Sequence, residues 1–214
     1  MTQPEREQQR QNNKSSPDAV LKKILPVTSI VPPRVYAPSD DSFLMIEALP
    51  PLQLRHKRVL DMGTGSGILG LYCALRGADV TASDIDDYAI KETGRAAEML
   101  GARLKLLVSD LFSNVPGQFD LILFNPPYLP SRDREDITVD GGPGGTMLTD
   151  RFLHDLPTHL DRRGEALLMT SSLNDPSSIR LRHRSLEFST VVRRSFFFEE
   201  LQVLRVRLRD NLAI

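Results

Sequence analysis

The sequence predicts an α/β fold, a mostly parallel sheet of seven strands that is flanked by helices and finished by a C-terminal antiparallel hairpin. Two observations predict it. From Arg58 onward, short β-prone runs alternate with helical stretches, which is the pattern of parallel strands joined by helical crossovers. Near the C-terminus, the strand-like runs 189–198 and 201–208 are joined tightly at Glu199-Glu200, as in a hairpin. The 214 residues suffice for one such domain with a substantial core.

The chain that precedes the sheet divides into a tail and an N-terminal segment. Residues 1–18 are rich in Gln and Asn and contain no aromatic side chain, so we expect a disordered tail. Residues 19–57 are expected to form one domain with residues 58–214, which contain the sheet.

Three local features are expected within the N-terminal segment. A short amphipathic stretch over residues 19–25 should end before Pro26, because proline removes a helical hydrogen bond. Pro32-Pro33 should enforce an extended backbone, and residues 42–49 should form a helix.

The predicted strands of the sheet are short apolar runs. Helices over residues 69–76 and 88–100 separate the first three strands, and each helix closes at a glycine that suits the C-cap position, Gly77 or Gly101. In chain order, the strands before the hairpin cover residues 59–60, 80–82, 104–108, 119–124 and 165–169.

Composition excludes several classes of protein. The net charge is −1 and the pI about 6.4, so no bulk positive field draws the chain to nucleic acid. Apolar runs stop far short of the ~18 residues that cross a membrane. The lone Cys73 cannot form an internal disulfide and is expected to pack in the core. No apolar signal segment follows Met1, so a cytoplasmic location is expected.

Two further groups of polar residues receive ordinary interpretations. His154 and His159 are five positions apart, which does not place them on one helix face, and no metal site is expected. The arginines of the C-terminal part are interpreted as a solvated face, with contact to RNA or the ribosome as the alternative. They are Arg180, Arg182, Arg184, Arg193, Arg194, Arg205, Arg207 and Arg209.

A glycine-rich loop, residues 61–67, lies where the first predicted strand turns into a helix. Glycines there let backbone N–H groups approach a ligand closely, which indicates a nucleotide-like cofactor. Residues 65–70 also match the dinucleotide fingerprint, with Asp84 at about the distance of a ribose-binding acid, so NAD is a rival cofactor. A Walker-type phosphate loop is excluded, because Leu71 stands where that motif requires Lys.

Four polar residues stand at the ends of successive predicted strands. They are Asp61, Asp84, Asp110 and Asn125. Each alone is typical of a strand end or turn, but parallel strands finish at one edge of the sheet, where ligands of such folds bind. Together with the glycine loop, the four predict a binding cleft at that edge.

The most specific feature is Asn125-Pro126-Pro127-Tyr128, which follows the fourth strand. Two prolines stiffen the backbone after Asn125, so that its amide oxygen and the Pro126 carbonyl form a rigid pair of acceptors. Such a pair suits a planar NH2 group, and Tyr128 offers a flat face against which that group can pack. A proline-stiffened turn without function is the alternative interpretation.

These motifs together resemble the class I S-adenosylmethionine-dependent methyltransferases that modify amino nitrogens, which have a Rossmann-like fold. Residues 35–44 resemble the first segment of the archaeal and eukaryotic HemK-like enzymes, which methylate a glutamine in class I translation release factors. Residues 140–145 resemble their glycine-rich loop after strand four, and residues 194–201 their terminal hairpin. The resemblance extends from about Val31 to Leu208. This chain has Asp40-Asp41-Ser42 where the family usually has Glu-Asp-Thr, which keeps the polar groups and shortens one.

The resemblance implies roles for the cleft residues. Gly63 and Gly65 would line the methionine end of S-adenosylmethionine, while Asp61 would position its ammonium group and the loop backbone. Asp84 would accept both ribose hydroxyls, and Asp110 would meet the adenine amino group. The other cofactor-site residues that it implies are Tyr36, Asp41, Ser42, Ile85, Leu111 and Asn125. Asn125, Pro126, Pro127 and Tyr128 would hold the substrate amide as the catalytic group.

The resemblance also implies a partner. The resembled enzymes use a small zinc-binding activator protein, and in their usual sheet order the strand at residues 104–108 lies at an open edge. That strand is apolar around a single Lys105, which is poor protection for an exposed edge. We therefore expect a heterodimer through this strand, with coverage by the N-terminal tail as the alternative.

Three functions are considered. The first, which the resemblance implies, is N5-methylation of the glutamine in the Gly-Gly-Gln loop of a class I release factor. The second is methylation of an exocyclic amine of adenine or guanine in DNA or RNA, because the same motif serves a base amine. A loop with charges of both signs, residues 132–136, disfavours phosphate-rich substrates. The third is a cofactor-binding scaffold without turnover, which the intact Asn125 disfavours.

Overall fold

The computed structural model of the chain describes residues 16–49, 52–127, 146–197 and 199–209. Within these ranges, seven strands form one sheet, in the order β3-β2-β1-β4-β5-β7-β6. The strands are β1 (Arg58–Met62), β2 (Asp79–Asp84), β3 (Leu104–Val108), β4 (Phe119–Phe124), β5 (Leu160–Ser171), β6 (Leu186–Ser195) and β7 (Glu200–Leu208).

Pairing within the sheet is parallel from β3 through β5, and β7 lies antiparallel between β5 and β6. The predicted fold class, a mostly parallel seven-stranded sheet with a C-terminal antiparallel hairpin, is therefore confirmed. β3 lies at one edge of the sheet, as expected.

Helices cover both faces of the sheet. They are α1 (Pro17–Thr28), α2 (Asp40–Ala48), α3 (Ile68–Leu75), α4 (Asp87–Leu100), α5 (Met147–His159) and α6 (Pro176–Arg182). A 3-10 turn, Ser172–Asn174, follows β5. No helix in the described ranges combines the length and the apolar character needed to cross a membrane.

Two apolar clusters lie on opposite faces of the sheet, and β4 contributes to both. Leu121 and Leu123 belong to the cluster beneath α1 to α4, while Ile122 and Phe124 belong to the cluster beneath α5 and α6. Successive side chains of a strand point to opposite faces, so a continuous apolar run is what a central strand covered on both sides requires.

α1 differs from its prediction at both ends. It begins at Pro17, where the Ser16 side chain accepts from the Ala19 N–H, and it continues through Pro26 to Thr28. Thr28 is fully buried and donates to the Ile24 carbonyl at 3.1 Å, so packing of the last turn offsets the hydrogen bond that Pro26 removes. Residues 1–15, most of the expected tail, lie outside the described residues.

β1, β2 and β7 extend their predicted bounds by one or two residues at an end, and two further strands differ more. β5 begins at Leu160 rather than at residue 165, because a bulge lets β4 pair with two separate parts of it: Phe119 with Leu160, and Leu121 with Glu165. β6 covers Leu186–Ser195 rather than 189–198, since a turn in which the Phe196 N–H donates to the Glu199 carbonyl ends it early.

Candidate cofactor and substrate cleft

The glycine loop between β1 and α3 forms the floor of a cleft at the carboxyl ends of the parallel strands. Gly65 has a φ of +52°, which favours glycine, and a Cβ at this position would lie 3.3 Å from the Tyr36 carbonyl oxygen. The loop can therefore approach residue 36 closely only because it lacks a side chain here. Gly67, also at positive φ, is the N-cap of α3.

Asp61 supports this loop from below. One oxygen, Oδ2, accepts from the Thr64 hydroxyl at 2.6 Å and from the Gly70 N–H at 2.8 Å. Burial raises the pKa of Asp61 to about 6, although both hydrogen bonds favour the charged form. Asp61 does not line the cleft itself, so its position in the structure is that of a support for the loop.

Asp84, at the end of β2, lines the cleft and connects two of its parts. Its Oδ2 accepts from the Gly65 N–H and its Oδ1 from the Asp86 N–H, each at 3.0 Å. Burial raises its pKa, while these backbone hydrogen bonds lower it. A carboxylate at this edge of a Rossmann-like sheet suits the hydroxyls of a ribose.

Tyr36, which is partly exposed, and the buried Asp41 form a hydrogen-bonded pair beside the glycine loop. The Tyr36 hydroxyl donates to Asp41 Oδ2 at 2.7 Å, and Oδ1 of the same carboxylate accepts from the Ser42 N–H at the start of α2. Burial, followed by the negative charge of Asp41, raises the pKa of Tyr36. Tyr36 and Ser42 line the cleft, whereas Asp41 is only 1% exposed and lies behind them.

The segment after β3 supplies the next wall of the cleft. Asp110 lines it and pairs with Arg151 of α5, with 2.8 Å between Oδ2 and Nη2. Leu111 follows with a φ of +48°, an uncommon value for a side-chain-bearing residue. Sequence reasoning did not predict Arg151, because nothing local links residues so far apart in the chain.

Asn125 follows the last residue of β4 directly and lines the cleft. Its side-chain Oδ1 is buried and has no hydrogen-bond partner among the described residues. Buried acceptors are rarely left without a donor, so this oxygen is available to accept an N–H from a ligand. Pro127 lines the cleft, Pro126 is buried, and Tyr128 lies outside the described residues.

The structure brings most of the predicted residues together in this one cleft. The predicted residues that line it are Tyr36, Ser42, Gly63, Gly65, Asp84, Ile85, Asp110, Leu111, Asn125 and Pro127. Others line it without having been predicted as site residues: Arg34, Val35, Met62, Thr64, Ser66, Ile68, Leu69, Asp86, Ala89, Ser109, Phe124 and Leu148. Most of these residues are adjacent in the chain to a predicted site residue, so that adjacency is the sequence feature from which they could have been predicted.

Residues outside the cleft behave as ordinary packing groups. Cys73 is fully buried, and burial raises the pKa of its thiol. His159 stacks on Phe112 with ring centroids 4.3 Å apart. In the described part of the chain, no three His, Cys, Asp or Glu side chains come together as a metal site. The loops at 132–136 and 140–145 lie outside the described residues.

The cleft fits S-adenosylmethionine. A glycine loop leaves backbone exposed to a ligand, and the carboxylates of Asp84 and Asp110 line the same cleft as Asn125, whose Oδ1 has no partner within the described ranges. When bound, the cofactor supplies an electrophilic methyl group on a sulfonium. Asp84 and Asp110 would hold its nucleoside part, and the glycine loop over Asp61 would hold its amino-acid part.

Comparisons with known proteins agree with this fit. The chain matches the methyltransferase small domain family over residues 39–197. A Methanocaldococcus jannaschii protein provisionally named a protein N5-glutamine methyltransferase is 36% identical over 181 residues, which cover 80% of this chain and 91% of the relative. The mouse methyltransferase HEMK2 is 30% identical over 189 residues, which cover 80% of this chain and 88% of the relative.

Solved structures show the same fold. A chain of the E. cuniculi Mtq2–Trm112 complex, which is responsible for methylation of the translation termination factor eRF1, has a TM-score of 0.68 at 24% identity and covers 82% of this chain and 99% of that one. The T. thermophilus 16S rRNA methyltransferase RsmC, solved with AdoMet and guanosine, has a TM-score of 0.64 at 22% identity and covers 80% of this chain and 44% of that one. The family match removes NAD as the rival cofactor: the chain belongs to the methyltransferase small domain family and is an S-adenosylmethionine-dependent methyltransferase of the HemK-like class.

Proposed function

We propose that the protein methylates N5 of the glutamine in the Gly-Gly-Gln loop of a class I translation release factor. The observation that carries this proposal is the buried Oδ1 of Asn125, which lines the cleft and lacks a donor among the described residues. A primary amide supplies two N–H donors in one plane, so it is a matching ligand for this acceptor and the neighbouring Pro126 carbonyl.

The chemistry required of the protein is mainly positioning. An amide nitrogen is a weak nucleophile, because its lone pair is delocalised into the carbonyl. Asn125 Oδ1 and the Pro126 carbonyl, by accepting one N–H each, would push electron density back to nitrogen and fix its direction of attack. Fixed dipoles and alignment of this kind account for large rate factors without a side-chain base.

Relatives support the choice of a glutamine over a nucleobase. Among the relatives that match 80% of this chain, the M. jannaschii protein is provisionally named for N5-glutamine methylation, and the mouse and human HEMK2 proteins are named as methyltransferases. A Bordetella pertussis release factor glutamine methyltransferase is 42% identical over 107 residues, which cover 47% of this chain. The partial matches do not discriminate, because a ribosomal RNA methyltransferase of Chromohalobacter salexigens is matched over 54% of this chain and 32% of its own length, and the B. pertussis enzyme over 40% of its own length.

The test is incubation of the protein with labelled S-adenosylmethionine and a candidate release factor, followed by peptide mass spectrometry. Methylation is expected on the glutamine of the Gly-Gly-Gln loop. A release factor with Gln→Asn or Gln→Glu in that loop is the matched control and should remain unlabelled. Preferential labelling of bare DNA or RNA would instead support an exocyclic-amine methyltransferase, and cofactor binding without any transfer would support a scaffold.

The exposed edge at β3 supports a further part of the proposal, a small zinc-binding activator subunit that adds a strand there. Val108 is 49% exposed at the end of this strand, and Lys105 is its one exposed charge. Asp79 of β2 pairs with Lys105 at 3.3 Å, so the charge is partly neutralised. A strand edge with an apolar end and little charge favours pairing with another chain.

The structure also selects the residue for testing this contact. Leu106 is only partly exposed, and a Cβ added at Gly94 of α4 would lie 3.0 Å from its side chain, so Leu106→Asp would damage packing as well as the edge. Val108→Asp is the better variant. It should abolish co-purification with the activator, while Met99→Asp, at an exposed apolar position on α4, should not. Full activity and solubility of the protein alone, unchanged by Val108→Asp, would contradict the proposed contact.

A further inference from the structure

Residues 30–39, here called the strap, connect α1 to α2 and form one wall of the cofactor cleft. Three consecutive strap residues, Arg34, Val35 and Tyr36, line the cleft. At its Tyr36 end, the strap is held by the hydrogen bond to Asp41 and rests on Gly65 of the glycine loop. At its Arg34 end, the strap is held by a second set of contacts, to residues between β2 and α4 for which cofactor binding gives no separate reason.

Arg34 joins the strap to the turn between β2 and α4. Its guanidinium forms a two-pronged ion pair with Asp86, with Nη2 2.9 Å from Oδ1 and Nε 3.2 Å from Oδ2. Its Cζ atom lies 3.8 Å from the centroid of the Tyr88 ring. A planar guanidinium that is both bidentate and stacked has one well-defined geometry, which a lysine in its place would not reproduce.

Asp86 connects this pair to the cofactor carboxylate. Its backbone N–H donates to Asp84 Oδ1, and its own side chain caps α4 by accepting from the Tyr88 N–H at 3.0 Å. The Asp86 side chain is 14% exposed, compared with 54% for Arg34. The carboxylate of the ion pair is therefore packed in the wall of the cleft, and the more exposed arginine reaches it from the strap.

We propose that Arg34 is a positioning residue that keeps the strap closed over bound S-adenosylmethionine and so sets how long the cofactor stays in the cleft. The inference rests on the cofactor and not on the identity of the protein substrate. Apparent affinity scales with the fraction of molecules whose binding site is formed, so a strap that opens more often lowers the affinity even when the other residues of the cleft keep their contacts. Val35, which is 4% exposed, anchors the strap independently, so loss of Arg34 should loosen it rather than unfold it.

Arg58 supplies a matched control. It forms the same kind of two-pronged pair, with Asp120, and its side chain is exposed to a similar extent, 47%. It lies at the start of β1, at the amino-terminal ends of the parallel strands, whereas the cleft lies at their carboxyl ends. Arg58 also pairs with Asp161 at 3.0 Å, so Arg58→Ala removes at least as much surface ion pairing as Arg34→Ala does, without touching the strap.

The experiment measures cofactor dissociation constants by calorimetry and dissociation rates by displacement of labelled S-adenosylmethionine, without protein substrate. Arg34→Ala should raise the dissociation constant about five- to tenfold, mainly through faster dissociation. Arg34→Lys should lie between this variant and the wild type, and Arg58→Ala should stay within about twofold of the wild type. Thermal unfolding of the cofactor-free proteins should show similar, small losses for Arg34→Ala and Arg58→Ala.

Two results would overturn the inference: an Arg34→Ala dissociation constant within about twofold of the wild type, or an equal weakening by Arg58→Ala. Failure of the proposed function would be seen separately, as absence of release-factor labelling with these binding constants unaffected.

Discussion

The carboxylate of Asp84 accepts the backbone N–H of Gly65 at 3.0 Å, so one side chain ties the end of β2 to the loop that follows β1. The two strands are parallel neighbours in the sheet, and this bond extends their pairing into the binding edge. Asp84 is thus part of the scaffold of the cleft as well as part of its lining.

This double role predicts a graded response to substitution. Asp84→Ala should weaken S-adenosylmethionine by ~1–3 kcal/mol, because charge-assisted hydrogen bonds are lost and the Gly65 N–H is left without its acceptor. Asp84→Asn keeps one carbonyl oxygen for that N–H and should weaken binding less. Calorimetry with both variants measures the difference. Unchanged binding by Asp84→Ala, or tight binding of NAD, would contradict the assignment.

A pair of glycines separates backbone strain from closure of the cleft. Gly65→Ala places a Cβ 3.3 Å from the Tyr36 carbonyl at a φ of +52°, so it should lower both stability and cofactor affinity. Gly101→Ala has a φ of +63° with nothing within 4 Å of the new Cβ, so it should lower stability only. The strain itself is worth ~1–2 kcal/mol at each position. Denaturant unfolding measures the stability of both variants, and calorimetry measures their cofactor affinities. Equal cofactor affinities of the two variants would show that Tyr36 can move away from the new Cβ at little cost.

Asp61 predicts a pH dependence of stability. Its pKa in the folded protein is about 6, above the ordinary value of 3.8, because burial disfavours the charge. The folded state therefore holds this proton more tightly than the unfolded state, and the resulting stabilisation, on the order of 3 kcal/mol, is lost as pH rises from about 4 through about 6.

Asp61→Asn tests this assignment. It removes the titration, and its amide oxygen can still accept from Thr64 and Gly70. Between pH 5 and 8 the variant should match or exceed the wild type in free energy of unfolding, yet bind the cationic cofactor more weakly. Unfolding curves across this range check the first point and calorimetry the second. A parallel pH dependence in wild type and variant would show that another group titrates.

Asn125→Ala should separate binding from transfer. The cofactor dissociation constant is expected to stay within a few-fold, while methyl transfer falls by about two orders of magnitude or more, because an orienting acceptor is lost. Single-turnover labelling with preloaded cofactor measures the transfer step directly. Asn125→Asp retains an acceptor oxygen and should keep more activity than Asn125→Ala; equal activity of the wild type and Asn125→Ala would exclude the assigned role.

The sequence was sufficient for the sheet and for most of the cleft, for reasons that particular residues make clear. β3 and β4 have their predicted bounds because each is a short, mainly apolar run, interrupted only by Lys105 or Asp120, and such a run indicates a strand from local sequence alone. Asp84, Asp110 and Asn125 come together because parallel strands end at one edge.

Other features depended on tertiary contacts. The last turn of α1 continues past Pro26 because Thr28 is buried in the fold. The local sequence around Pro26 gives no information about this burial. Likewise, Arg34–Asp86 and Arg151–Asp110 join residues that are 52 and 41 positions apart, and no spacing in the sequence links them.

Asn125 Oδ1, which has no partner in the part of the chain that the structure describes, has a consequence for discrimination between substrates. An acceptor that is already stripped of water gains a hydrogen bond from an incoming amide, but it repels an incoming carboxylate, whose oxygens bring lone pairs and negative charge instead of N–H groups. Sites of this kind reject the analogue that lacks the donor by factors of ~10⁴ or more. A release factor whose glutamine has deamidated to glutamate would then pass through unmodified, so methylation by this protein would report the chemical integrity of the very side chain that it modifies.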